Sequence, residues 1–126
     1  MKNIFYIFFI AIFLFSSCSL FEAPYGDVEI DSIFVSSNEN TNTCTVYLNI
    51  INTSNKNIYS STITVSAKTS LGRKKTTTLT SSNLIKPGNK ISQSCSFSIS
   101  IDNNDISSDT ETWVEDEILI EDFFFY

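Results

Sequence analysis

Few side chains in this sequence are able to carry out chemistry. The chain has 126 residues and no histidine, which removes the commonest general base and the usual serine-triad and zinc arrangements. Its three glycines are isolated from one another, so neither a phosphate-binding loop nor a nucleophile elbow is present. Carboxylates are abundant after residue 101, and two of them could lie a glycosidase-like distance apart, but almost any acidic loop would allow this. We therefore expect a protein that is not an enzyme and has no catalytic residue.

A run of oxygen-bearing side chains follows residue 101. Asp102, Asn104, Asp105 and Asp109 are candidates for a calcium site, since hard cations take several oxygen ligands from one flexible loop. The spacing matches no EF-hand loop, because the turn glycine is missing and Ile106 lies among the would-be ligands. A solvated acidic loop is the favoured alternative, so we expect no resident metal.

Cysteine is the remaining reactive side chain, and Cys18 has the most specific surroundings. Residues 4–15 form an uncharged apolar run, which as a helix would cover roughly 18 Å, against about 30 Å of bilayer hydrocarbon. Lys2 precedes the run, and Ser16 and Ser17 stand directly before Cys18, the pattern of a secretory signal. This stretch resembles a lipobox, with Phe15 where leucine is commonest.

The lipobox resemblance implies that the chain is cut before Cys18 and that this residue carries a covalent lipid, the only cofactor we expect. Residues 1–17 would then be a lipoprotein signal peptide, 18–26 a tether of at most roughly 30 Å, and 27–126 one folded domain. Acyl chains would hold the protein on a membrane. Ser19, a non-acidic residue, favours the outer membrane. Plain secretion and an uncleaved short anchor are the alternatives.

Cys44 and Cys95 are the other two cysteines. Both fall on the inward side of alternating apolar and polar segments. If Cys18 carries lipid, the two form the remaining pair, and in an oxidising compartment we expect a disulfide worth about 4 kcal/mol. Two separate buried thiols are the alternative.

The charge pattern argues against a nucleic-acid partner. The net charge is −6, and the only basic cluster, Arg73 to Lys75, follows Gly72 in a predicted turn. Such a cluster is more typical of a solvated loop tip than of a phosphate site.

Alternation of period two dominates the chain after the tether. In residues 91–101 serine occupies every even position, and residues 44–51 place Cys44, Val46, Leu48 and Ile50 on one face. The pattern predicts an all-β fold of about seven strands, at the spacing expected of an antiparallel sandwich or barrel. The predicted strands cover residues 28–35, 44–51, 58–67, 75–79, 84–85, 91–101 and 117–125. Asn-rich residues 52–57, Gly72 and the Lys-Pro-Gly-Asn stretch at 86–89 mark turns.

Residues 46–101 resemble the small immunoglobulin-like domains of bacterial envelope lipoproteins, such as the FxLYD domain. The shared features are a strand ending in asparagine before a polar turn (V-Y-L-N-I-I-N-T-S-N), a glycine hairpin (T-S-L-G-R), and a Pro-Gly turn leading into an alternating strand (K-P-G-N-K-I-S-Q-S-C-S-F-S-I). Residues 65–68 replace the family's aromatic stretch. The resemblance implies a sandwich without catalytic residues.

Aromatic residues near the end of the sequence are the candidate binding residues, namely Trp113, Phe123, Phe125 and Tyr126. Strand alternation places Ile118, Ile120 and Phe124 on one face and Leu119, Phe123 and Phe125 on the other. If the aromatic edge of this strand is exposed, another chain could add a strand there. We therefore predict a lipid-anchored envelope protein that binds an envelope or extracellular protein. The alternative is an accessory lipoprotein of an envelope complex with no ligand of its own.

Overall fold

The computed structural model describes residues 23–101 and 111–126, and this part of the chain is all-β. Its strands are antiparallel to their neighbours, and a single 3₁₀ turn at Glu115–Glu117 precedes the last one. The predicted signal peptide, Cys18 and the four candidate calcium ligands lie outside the described residues. The strands are β1 (Gly26–Ser37), β2 (Thr41–Asn52), β3 (Ser61–Lys68), β4 (Lys74–Ser81), β5 (Lys90–Ser100) and β6 (Leu119–Phe125).

The strands form two three-stranded sheets. Sheet 1 has the order β1-β2-β5 and sheet 2 the order β4-β3-β6. Apolar side chains from both sheets belong to one buried cluster, and β1 approaches β6 while β5 approaches β4. The two sheets are therefore consistent with a β-sandwich, in which each sheet buries its apolar face against the other.

Alternation along β2 sets the core side of sheet 1. Cys44, Val46, Leu48 and Ile50 are all fully buried, while Tyr47 on the opposite face is 43% exposed. The neighbouring strand β5 alternates in the same way, with its serines exposed. The sequence-based assignment of inward residues in these two strands is confirmed.

Two edge strands each contain a one-residue irregularity. On β1, Asp31 is the extra residue between the pairs of Ile30 and Ser32, and on β6 Glu121 is the extra residue between Ile120 and Asp122. A β-bulge of this kind reverses which later residues face inward. The uninterrupted alternation predicted for the last strand is therefore wrong.

The consequence for β6 is a different set of buried and exposed aromatics. Phe125 is buried on the same side as Ile118, whereas Phe124 is 53% exposed on the outer side with Leu119. The side chain of this extra residue is held in place, because Glu121 accepts one hydrogen bond from the Ser66 hydroxyl of β3 (2.6 Å) and forms an ion pair with Lys74 of β4 (2.7 Å). Glu121 thus links all three strands of sheet 2.

The predicted seventh strand at residues 84–85 is not formed. Ile85 makes one isolated bridge to Ile58, with N–O distances of 2.8 and 2.9 Å. The ladder cannot continue, because Lys86 already begins a turn whose next residue, Pro87, has no backbone N–H. Gly88 has φ = 78° at the third place of that turn, and Asn89 donates to Lys86 at 3.0 Å. The turn predicted at residues 86–89 is confirmed.

The disulfide predicted between Cys44 and Cys95 is not formed in the structure. Both residues are buried, as expected, but both are free thiols. Cys44 pairs in register with Phe97 and Cys95 with Val46, so the two cysteines are diagonal neighbours on adjacent strands. Diagonal Cβ atoms are roughly 6–7 Å apart, whereas a disulfide needs about 4 Å.

Different loops lie at the two ends of the described domain. Residues 53–60 and 82–89 meet at one end, where β1 begins and β6 finishes. Residues 38–40 and 69–73 lie at the opposite end together with residues 111–114. In both described ranges, no helix is long and apolar enough to cross a membrane.

Candidate binding surface

Exposed apolar side chains gather at the end of the domain where β1 begins. Tyr126 accepts backbone hydrogen bonds from Tyr59 (2.6 Å) and Ser60 (3.0 Å), which brings the last residue of the sequence beside the start of β3. Phe124 pairs with Thr62, just inside this end. We call this surface the aromatic end. It consists of Tyr25 (58% exposed), Tyr59 (63%), Leu84 (48%), Phe124 (53%) and Tyr126 (63%).

A buried amide holds the loops of the aromatic end together. Asn52, the last residue of β2, is fully buried, and its Nδ2 donates to the carbonyls of Lys56 (2.7 Å) and Ile85 (2.8 Å). Its Oδ1 accepts from the N–H (3.0 Å) and the hydroxyl (2.6 Å) of Ser54. Because a buried polar group is stable only when it is hydrogen-bonded, this network fixes both loops against each other.

The described chain enters the domain at the aromatic end. The carbonyl of Tyr25 accepts a hydrogen bond from Ser54 (3.2 Å), and Gly26 pairs with Asn52. Ala23, the first described residue, stands five positions after Cys18. Any group attached at Cys18 is therefore connected to this end.

The side-chain charges at the aromatic end are mainly positive. Lys56, Lys86 and Lys90 lie in or next to its loops, and Asp27 is the one carboxylate among the described residues there. The rest of the chain must then carry an excess of acid, since the net charge is −6.

A second aromatic group lies on the outer face of sheet 1. Phe34 of β1 is 61% exposed and pairs with Thr45, while Tyr47 of β2 is 43% exposed and pairs with Ser32. Phe34 and Tyr47 are thus diagonal neighbours, and we call them the aromatic pair. The sequence signal for Tyr47 was its place among polar residues in β2, whereas the bulge at Asp31 concealed Phe34.

Small hydroxyl side chains surround the aromatic pair. The hydroxyls of Thr45 and Ser96 lie 3.1 Å apart, and those of Thr43 and Ser98 are also 3.1 Å apart. The side chains of these cross-strand pairs project only a short way from the sheet, so the two aromatic rings are the largest side chains on this face. The arrangement offers a flat surface with two apolar anchors.

Of the four aromatic residues predicted as a binding surface, the fold leaves two accessible and buries the other two. Tyr126 is 63% exposed and Phe123 is 37% exposed, so both are accessible. Trp113 and Phe125 are only 6% and 7% exposed and belong to the core, so their assignment to a binding surface is wrong. Phe125 is buried because of the bulge at Glu121.

Trp113 covers the core at the opposite end of the domain. Its ring lies 5.8 Å from that of Phe97, and its Nε1 donates to the carbonyl of Asn42 at 3.1 Å. A bridge to Thr69 ties its backbone to the turn after β3. The indole is therefore a structural side chain with its N–H satisfied.

Glu111 connects residues 111–114 to the turn after β3 through side-chain hydrogen bonds. Its carboxylate accepts from Thr69 Oγ1 (2.5 Å) and from Arg73 Nε (2.7 Å), and a second contact with the Arg73 guanidinium makes the pair bidentate. The hydrogen bonds from Arg73 and Thr69 lower the pKa of Glu111 to about 2. The basic cluster at residues 73–75 thus has an internal acidic partner, in agreement with its interpretation as a loop tip.

The two cysteines among the described residues are buried thiols with raised pKa values. Burial raises the pKa of Cys44 to about 11, with a further contribution from Cys95, and burial also raises the pKa of Cys95. Neutral buried thiols are poor nucleophiles. No group of three or more metal-binding side chains occurs in residues 23–101 and 111–126.

Comparison with protein-family models, with curated proteins and with solved structures finds no match to this chain.

Proposed function

We propose that this protein is a lipid-anchored, non-enzymatic envelope protein whose β-domain binds another protein at the membrane. The anchor is the lipid on Cys18, and the outer membrane is the proposed location because Ser19 follows it. The absence of histidine from the sequence supports a function in binding. We assign the two sheets to the immunoglobulin-like class, which Asn52 at the end of a strand before a polar turn supports.

The aromatic pair is the observation that carries the proposed protein binding. Phe34 and Tyr47 remain exposed on a face to which β2 and β5 contribute mainly small hydroxyl side chains and β1 contributes Glu29 and Asp31. Exposed aromatic side chains commonly act as anchors at protein interfaces, since they bury much apolar area at little cost in conformational freedom. The flat surroundings would let a partner approach both rings closely.

The position of the aromatic pair is compatible with an anchored protein. Phe34 lies three residues before the end of β1, toward the end of the domain opposite to the one at which the chain enters. A partner could therefore reach this face while Cys18 stays in the membrane. Strand addition at β6 is less suitable, because Glu121 interrupts its ladder and the Asp122 carboxylate accepts the Phe123 N–H at 2.9 Å.

Site-specific photo-crosslinking in cells tests the proposed partner surface. A photoreactive amino acid at Phe34 or Tyr47 should give a discrete adduct with another protein, and Phe34→Ser should weaken the adduct formed from position 47. The same amino acid at Thr76, on the outer face of sheet 2, is the matched control. Equal labelling from positions 34, 47 and 76, or no adduct at all, would favour the accessory-lipoprotein alternative.

Membrane fractionation tests the anchor separately. The wild-type protein should be found with the membranes and should be released only by detergent. Cys18→Ala should appear in the soluble fraction or remain as an uncut precursor. If this variant were processed and partitioned like the wild type, lipidation at Cys18 would be excluded. Protease treatment of whole cells then distinguishes a surface-exposed domain from one facing the periplasm.

A further inference from the structure

We infer that the aromatic end lies against the lipid surface to which Cys18 is attached, so that the domain has a defined orientation on the membrane. The inference rests on the proposed anchor. The proposed occupant of this surface is the headgroup region of an anionic bilayer. Three observations support it: the length of the connection, the types of the exposed side chains, and their charge.

The connection from Cys18 to the aromatic end is short. Tyr25 lies seven positions after Cys18, which allows at most about 25 Å. To place the opposite end of the domain on the bilayer, this connection would have to run back along β1, whose 12 residues extend for about 40 Å. The aromatic end is therefore the end that can reach the lipid.

The exposed side chains at this end are those that suit a lipid–water interface. Three of the five are tyrosines, Tyr25, Tyr59 and Tyr126, each at least 58% exposed. A tyrosine ring can enter the apolar side of the headgroup region while its hydroxyl remains hydrated, which is why tyrosine concentrates at membrane interfaces. Leu84 and Phe124 supply purely apolar area beside them.

The local charge fits an anionic lipid surface. Three lysines, Lys56, Lys86 and Lys90, lie at this end, against the Asp27 side chain among the described residues and Glu22 in the connection to Cys18, in a chain whose net charge is −6. Cations near an anionic leaflet are attracted to it, whereas acidic surfaces are repelled. The same attraction would turn the acidic remainder of the domain away from the membrane.

Fluorescence quenching by brominated lipid tests this orientation. The full-length lipoprotein, extracted in detergent, would be reconstituted into phosphatidylcholine–phosphatidylglycerol vesicles with bromine near the headgroup end of the acyl chains. Tyr59→Trp and, independently, Tyr126→Trp each place an indole at the aromatic end. Phe34→Trp is the matched control, because it adds an indole at an equally exposed site against the same Trp113 background.

We expect the added indole at position 59 or 126 to be quenched at least about two-fold more than the one at position 34. Lys86→Glu should reduce that quenching on anionic vesicles, and Lys68→Glu, an exposed lysine at the opposite end, should not.

Vesicle sedimentation separates the two proposals. If the protein sediments with the vesicles but positions 59 and 126 are quenched no more than position 34, the orientation is wrong and the anchor stands. If the protein does not sediment with the vesicles, the anchor fails and the orientation fails with it.

Discussion

The side-chain amide of Asn52 donates a hydrogen bond to the backbone carbonyl of Ile85, with an Nδ2–O distance of 2.8 Å across 33 residues of sequence. The same amide reaches the carbonyl of Lys56 at 2.7 Å. One buried side chain therefore joins the loop after β2 to the loop before β5. These two loops supply Tyr59 and Leu84 to the aromatic end.

Removing this amide should destabilise the domain. Asn52→Ala removes four hydrogen bonds from a buried site, two to carbonyls and two from Ser54, and we expect the free energy of unfolding to fall by about 2–4 kcal/mol. Asn52→Asp, which keeps the shape but presents an oxygen to the two carbonyls, should cost a similar amount. Urea denaturation followed by Trp113 fluorescence measures both.

Asn55→Ala is the control for that loop, because Asn55 is exposed and its replacement should change the free energy by no more than about 0.5 kcal/mol. If Asn52→Ala changed the free energy of unfolding no more than the control, the Asn52 amide would not stabilise the two loops that it joins.

The bulge on β6 predicts different outcomes for two deletions in the same strand. Without Glu121, Ile120 and Asp122 become consecutive ladder residues, so Phe125 stays inward. Without Phe123, the bulge remains and Phe125 turns outward, which removes a buried aromatic ring from the core. We expect the second deletion to be less stable than the first by about 2–3 kcal/mol. Equal unfolding midpoints would show that the bulge at Glu121 does not determine which aromatic residues of β6 face the core.

The ion pair at the opposite end should make stability depend on pH. The folded-state pKa of Glu111 is about 2, below its ordinary value of 4.5, so the unfolded chain binds more protons between these values. This contribution to stability is present above about pH 4.5 and is lost as the pH falls toward 2.

Because Arg73 is largely exposed, we expect Glu111→Gln to cost only about 1 kcal/mol at pH 7 and to flatten the pH dependence below 4.5. Arg73→Gln should reproduce the loss, and the double variant should show that the two effects are not additive. Additive effects would mean that the pair is not coupled.

Thiol titration distinguishes free cysteines from a disulfide. In a Cys18→Ser variant denatured without reductant, a thiol reagent should count two groups, Cys44 and Cys95. In the folded variant both should react at least about ten-fold more slowly, because burial raises the pKa of each thiol. A count of zero before reduction and two after it would restore the disulfide.

The sequence alone was sufficient for the local features of the fold. Serine at every second position of β5 and apolar residues at every second position of β2 correctly predicted their inward faces, since alternation is a property of each extended strand by itself. Pro87 and Gly88 likewise predicted their turn, because both residues restrict or permit backbone angles locally. The acidic charge and the lipobox-like stretch before Cys18 are also properties of the sequence alone.

Only the tertiary structure decided which aromatic residues form a surface. Trp113 is buried because β2, β5 and the turn after β3 provide a site for it, and no pattern around residue 113 encodes that site. Phe124 and Phe125 exchange faces because Glu121 is extruded toward Ser66 and Lys74, two residues on other strands. Burial depends on groups contributed from distant parts of the chain, so these side chains could be assigned to core or surface only after the sheets were in place.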